Sequence, residues 1–146
     1  MKIKLMKLSS AATIPTRGSE QAAGFDLYAC IDEGSVEISP GQTQLIGTGF
    51  AAAIPDGYFG AVFARSGLAT KMGLRPANCV GVIDSDYRGE FKVPIHNDSS
   101  QTRTVAHGDR IAQLIILPYP SCEFEECDSL DETARGEGGF GHTGNR

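Results

Sequence analysis

This 146-residue sequence has no basic run: no cluster of Lys or Arg stands out, and the formal net charge is -5. Sequence-independent nucleic-acid binding needs a basic face to neutralise phosphates, so no nucleic-acid partner is expected. A phosphorylated small molecule stays open, because a few placed cations and a metal suffice to hold one. No apolar stretch approaches the roughly 18 residues of a membrane span. The N-terminal MKIKLMKLSS alternates charged and apolar residues, unlike the apolar centre of a signal peptide. The expectation is therefore a cytoplasmic protein with no membrane partner. Cys30, Cys79, Cys122 and Cys127 form no C-x-x-C pair, which argues against a zinc knuckle or redox motif and for free thiols. H-x-E combined with P-C-x-x-C is also missing, which removes a zinc deaminase.

Helical periodicity is nearly absent too. What recurs instead is short alternating or apolar stretches broken by turn chemistry: KIKLMKL, VEI, QLIGTGFAAAI, YFGAVFA, CVGVID, EFKVPIH, TRTV, RIAQLIIL and CEFEE. SPGQT and PDGY between them read as turns, and a helical turn or two fits only SGLATKM. Many short strands at near-regular spacing predict an all-β fold, a β-sandwich, jelly roll or distorted barrel. Composition suits one domain with a full core. In RIAQLIIL, Ile111, Ile115 and Leu117 are expected on one face, with Ala112, Leu114 and Ile116 on the other. A strand apolar on both faces needs two covers, and in a small chain the second can be another subunit.

From about Asp128 the composition turns polar and glycine-rich, dividing the chain into a β domain at 1–127 and an arm at 128–146. Within the arm, Gly136-x-Gly138-x-x-Gly141 has the pattern of a phosphate loop, yet only five residues follow it. That is too few for the helix such a loop normally precedes. A disordered tail is one reading. The other is a ligand-binding segment, since Phe140 between glycines, with Arg135 and Thr143, is a kit for stacking a base and holding phosphate oxygens.

Four internal segments carry polar chemistry. GVIDSDYRGE holds Asp84 and Asp86, either as turn residues or with one carboxylate as general base. ARSGLA sets Arg65 beside Ser66 and Gly67, a fork of donors, a hydroxyl and bare backbone suited to phosphate. AGFDLYA places Asp26 between apolar residues, where an acid has a partner or metal nearby unless the strand is an edge. GDRIAQLI sets Arg110 and Gln113 into the doubly apolar strand, where they must be hydrogen-bonded to protein or ligand.

Together with RGEGGFGHTG, and in this order, these segments resemble the five motifs of the trimeric dUTP diphosphatase (dUTPase) family across residues 23–144. The resemblance implies a distorted jelly-roll homotrimer with active sites built between subunits, hydrolysing dUTP to dUMP and pyrophosphate. Asp84 matches the residue that activates water for attack on the α-phosphorus. Asn78 and the backbone of Val82, Ile83 and Asp84 match the hairpin that reads uracil, and Tyr87 the ring under the deoxyribose. Arg65, Ser66 and Gly67 match the phosphate turn, Gln113 a polar residue reaching the same region, and Lys92 a backbone contact. Asp26 matches an acid near metal-bound waters. The cofactor implied is Mg2+, arriving chelated by the triphosphate, since the chain offers no dense carboxylate cage. In the arm, Arg135 and Thr143 match γ-phosphate ligands and Phe140 a ring stacking on uracil, while Gly141 permits close backbone approach. His142 departs from the Ser of many relatives. A dCTP deaminase shares the fold but lacks the Asp-centred third motif, and a purely regulatory trimer would need neither Asp84 nor the arm.

Overall fold

The computed structural model describes residues 1–32 and 34–139. In chain order its elements are β1 (Lys4–Lys7), β2 (Thr16–Arg17), β3 (Phe25–Tyr28), β4 (Ser35–Ile38), β5 (Thr43–Gly47) and β6 (Phe50–Ala53). There follow β7 (Tyr58–Phe63), α1 (Ser66–Met72), β8 (Leu74–Pro76), β9 (Val80–Ile83), β10 (Lys92–Asn97), β11 (Arg103–Ala106) and β12 (Arg110–Pro118). Strands β3, β4 and β5 pair antiparallel with β12, β11 and β10 in that order. These nested pairs amount to one long hairpin wrapped around a core, the plan of a jelly roll. The fold is all-β, as expected. No helix of the described residues is long and apolar enough to cross a membrane.

The largest sheet runs β2-β3-β12-β7-β9 and a second runs β5-β10-β8, with β1-β6 and β11-β4 as two-stranded ribbons. Between them lie Leu27, Ile38, Phe50, Leu74, Phe91, Ile95 and Ile111, all fully buried. Each comes from a short strand or a residue beside one, so the core exists only after distant strands meet. Thr48 and Asn97 are the buried polar residues among those described. Thr48 donates to the Phe91 carbonyl at 2.6 Å. The Asn97 amide donates to the carbonyls of Ile38 and Gln101, each at 2.8 Å, and its oxygen accepts from Ser99 N–H and Oγ. Both are thus fully satisfied, as buried polar groups must be.

Four expectations change. CEFEE is not a strand: residues 119–139 have no regular structure, and Phe124 is fully exposed because no neighbouring strand meets it in this protomer. The apolar run QLIGTGFAAAI splits into β5 and β6 at Gly49, whose φ of 71° excludes most side chains. A Cβ there would also lie 2.7 Å from Cys30 Sγ. Strands β2 and β8 carry too few residues for alternation to announce them. Finally, a bulge between Arg110 and Ala112 resets the alternation of β12. Ile111 is consequently buried beside Ala112, while Ile115 and Leu117 remain half-buried on the other face. Cys30 is half-buried and the other three cysteines are exposed, all as free thiols.

Candidate active site

Strand β9 ends at Ile83, and the chain then reverses through Asp84-Ser85-Asp86-Tyr87, where the Tyr87 N–H donates to the Asp84 carbonyl at 3.2 Å. Asp and Ser favour such a turn because their side chains compete with regular backbone pairing. Arg88 braces it, donating from Nη1 to the carbonyls of Ser85 at 2.6 Å and Tyr87 at 2.9 Å. The turn reading and the reactive reading therefore coexist: both aspartates sit at the tip with exposed carboxylates.

Val82, Ile83, Asp84, Tyr87, Glu90, Phe91 and Lys92 line a hollow of about 220 Å³ beneath this turn. The Tyr87 hydroxyl donates to the Glu90 carbonyl at 3.1 Å. Glu90 was not anticipated as part of the site. Its Oε1 accepts the Gly49 N–H at 2.9 Å and its Oε2 lies 3.4 Å from Lys92 Nζ, so it ties the hairpin to the β5–β6 corner. The only hint in the sequence is an acid between Gly89 and Phe91. Asn78 sits in the exposed turn before β9 and does not line this hollow. Arg75 supports that turn by donating to the Pro76 carbonyl at 3.2 Å. Its guanidinium is held in turn by Asp98 at 2.6 Å, a hydrogen bond and ion pair that raise its pKa above the ordinary value.

A second hollow, of about 390 Å³, gathers three of the sequence segments. Asp26 comes from β3, Arg65, Ser66 and Gly67 from the β7–α1 junction, and Arg110 and Gln113 from β12. Asp26 lies opposite Gln113 in the β3–β12 ladder, so pairing alone brings them together. Its two oxygens accept from Arg65 Nε at 2.9 Å and Arg110 Nη1 at 3.2 Å. Gln113 Nε2 donates to the Ala64 carbonyl at 2.9 Å, which fixes the end of β7 where the Arg65 turn begins. Gly24 keeps the floor open, since a Cβ there would stand 3.2 Å from Gln113 Oε1. Two guanidiniums on one carboxylate leave the hollow cationic, and a hydroxyl and a bare glycine flank them. This arrangement suits a phosphate chain.

Among the described residues the two hollows share no lining residue, and neither is lined by a residue after Pro118. Arg135 is exposed and closes a local turn, donating from Nε to the Gly138 carbonyl at 2.7 Å. Phe140, Gly141, His142 and Thr143 lie outside the described residues. Among the described residues no three of His, Cys, Asp and Glu come close enough to cage a metal ion.

Residues 10–144 match the family model described as dUTPase. A deoxyuridine 5'-triphosphate nucleotidohydrolase of Syntrophotalea carbinolica is 50% identical over 142 residues, covering 97% of this chain and 96% of its own. Among solved structures, a mutant dUTPase of Staphylococcus bacteriophage 80alpha with dUpNHpp superposes with a TM-score of 0.88 at 27% identity, covering 98% of both chains. A mutant dUTPase from phage phi11 of S. aureus, described as coordinating a structural Mg(II) ion, gives 0.81 at 25% identity over 90% of this chain and all of its own. With motifs, fold and cationic hollow in agreement with these matches, the chain belongs to the dUTPase family.

Proposed function

We propose that this protein hydrolyses dUTP to dUMP and pyrophosphate, keeping uracil out of the DNA precursor pool and supplying dUMP for thymidylate synthesis. The observation that carries the reading is the complementary chemistry of the two hollows. One offers an exposed carboxylate beside a half-exposed ring; the other offers paired guanidiniums, a hydroxyl and a bare glycine. Cleaving an anhydride between α- and β-phosphorus needs a base, an aligned water and cationic stabilisation. Asp84 takes a proton from water as its oxygen attacks the α-phosphorus; the bond to the bridging oxygen breaks and its electrons leave with pyrophosphate. Arg65, Ser66, Gly67 and Gln113 hold the phosphates. Asn78 and the backbone of Val82, Ile83 and Asp84 read uracil, Tyr87 packs under the deoxyribose, and the Lys92 backbone completes the contact.

Mg2+ chelated by the triphosphate would supply charge neutralisation, and Asp26 is the residue that would accept from its waters, with lone pairs its two arginine bonds leave free. The separation of the hollows within one protomer supports a homotrimer in which the hairpin of one copy faces the Arg65 hollow of the next. Residues 1–127 form the domain, and 128–146 form an arm that closes over a neighbour's site. There Arg135 and Thr143 hold the γ-phosphate, Phe140 stacks on uracil, and Gly141 and His142 line the triphosphate. Incubation with dUTP, dCTP, dTTP and UTP in the presence of Mg2+ tests the reading. Release of dUMP and pyrophosphate from dUTP alone is expected; intact dUTP overturns it.

A further inference from the structure

We infer that Glu90 is a positioning residue for sugar selection: its carboxylate, seated in the β5–β6 corner, sets the placement of the Tyr87 ring. This rests on the reading above and names what holds the ring which that reading puts under the deoxyribose. A glutamate beside an exposed turn ordinarily points to water. Here the side chain is only 24% exposed, because it lies against the corner formed by Gly47, Thr48 and Gly49. A Cβ on Gly47 would collide with Glu90 Oε1, so glycine at 47 opens the slot that the carboxylate fills. In that slot Oε1 accepts the Gly49 N–H at 2.9 Å. Gly49 is buried, and a buried N–H needs such an acceptor.

The same corner grips the next residue by its backbone. The Phe91 carbonyl accepts from Thr48 N–H at 3.2 Å and Thr48 Oγ1 at 2.6 Å, and the Phe91 N–H donates to the Phe50 carbonyl at 3.0 Å. Tyr87 leans on both anchored residues. Its hydroxyl donates to the Glu90 carbonyl at 3.1 Å, and its ring lies over that of Phe91. The face of the ring is therefore set by Phe91 and its far end by Glu90. A carboxylate suits the corner because its bond to the Gly49 N–H is charge-assisted. Its second oxygen, 3.4 Å from Lys92 Nζ, also limits rotation of the group. Glutamine would keep the acceptor for Gly49 and lose the ion pair, whereas alanine would lose both.

Two readouts on the full-length protein test this. The first is fluorine NMR of protein carrying meta-fluorotyrosine, in which Tyr87→Phe identifies one resonance among those of four tyrosines. The second is the dUTP/UTP ratio of kcat/KM. Glu90→Ala should shift or broaden the Tyr87 resonance and lower the ratio about 3- to 30-fold, part of the worth of a charge-assisted hydrogen bond. Glu90→Gln should recover most of the ratio. Gly47→Ala, whose new methyl meets the Glu90 carboxylate first and lies outside the lining of the hollow, should reproduce the alanine effect. It carries the test if Glu90→Ala fails to fold. A purely structural Glu90 would lower the unfolding midpoint and leave ratio and resonance as in the wild type, which overturns the inference. Glutamine as poor as alanine overturns it too. If the wild type leaves dUTP intact, the dUTPase reading fails and sugar selection with it, while the Tyr87 resonance still decides whether Glu90 places the ring. If dUTP is cleaved and the ratio stays fixed, only the role of Glu90 fails.

Discussion

The ring of Tyr87 lies over that of Phe91, with centroids 6.4 Å apart and planes 30° from parallel. Phe91 is fully buried and Tyr87 is half exposed, so the ring at the hairpin is seated directly on the core. Gly89 makes this possible. A Cβ on Gly89 would stand 2.6 Å from Tyr87 Cζ, which no relaxed structure tolerates.

Gly89→Ala should therefore push Tyr87 off its seat without disturbing the rest of the fold. If Tyr87 excludes a 2′-hydroxyl, the dUTP/UTP ratio of kcat/KM falls in this variant and in Tyr87→Ala. An unchanged ratio in both would place sugar selection elsewhere.

Asp84 is exposed at a turn and is not among the buried core residues. Asp84→Asn should keep its unfolding midpoint while turnover drops about 10²–10⁴-fold, the worth of a positioned general base. Near-normal turnover in the folded variant would remove Asp84 from the chemistry.

Residues 119–139 bury little, so deleting 135–146 should leave thermal stability unchanged and abolish most activity. Co-refolding this deletion with Asp84→Asn, each inactive alone, should restore activity if base and arm come from different copies. Mixed oligomers that form and stay inactive would show that one chain supplies both.

Asn97 makes four hydrogen bonds with no solvent access. Asn97→Ala leaves the buried Ile38 carbonyl without this donor and Ser99 without its acceptor, and should cost about 2–4 kcal/mol. Urea unfolding at matched protein concentration measures it; a loss under about 1 kcal/mol would mean that water replaces the amide.

Much of the architecture was legible because strand alternation and turn chemistry are local. The turn at Asp84, the helix at SGLATKM and most strands follow from residues a few positions apart. Where a partner strand decides the outcome, the reading failed: CEFEE alternates but finds no neighbour in this protomer, and Leu74–Pro76 pairs with β10 without announcing itself. Glu90 escaped notice because one of its two partners, the Gly49 N–H, lies 41 positions away, and an acid two residues from Lys92 announces nothing by itself.

The order of the five motifs, with the acid of GVIDSDY and the fork of ARSGLA, determined the family and the kind of ligand, because chemistry resides in residue type. Only the tertiary structure decided that Asp26 spends both oxygens on arginines 39 and 84 positions away. It alone also put Arg110 on the same face as Gln113, through a bulge that strict alternation does not predict. Such pairings depend on the closure of the nested β3–β12 wrap, a balance of burial across distant strands that no local window contains.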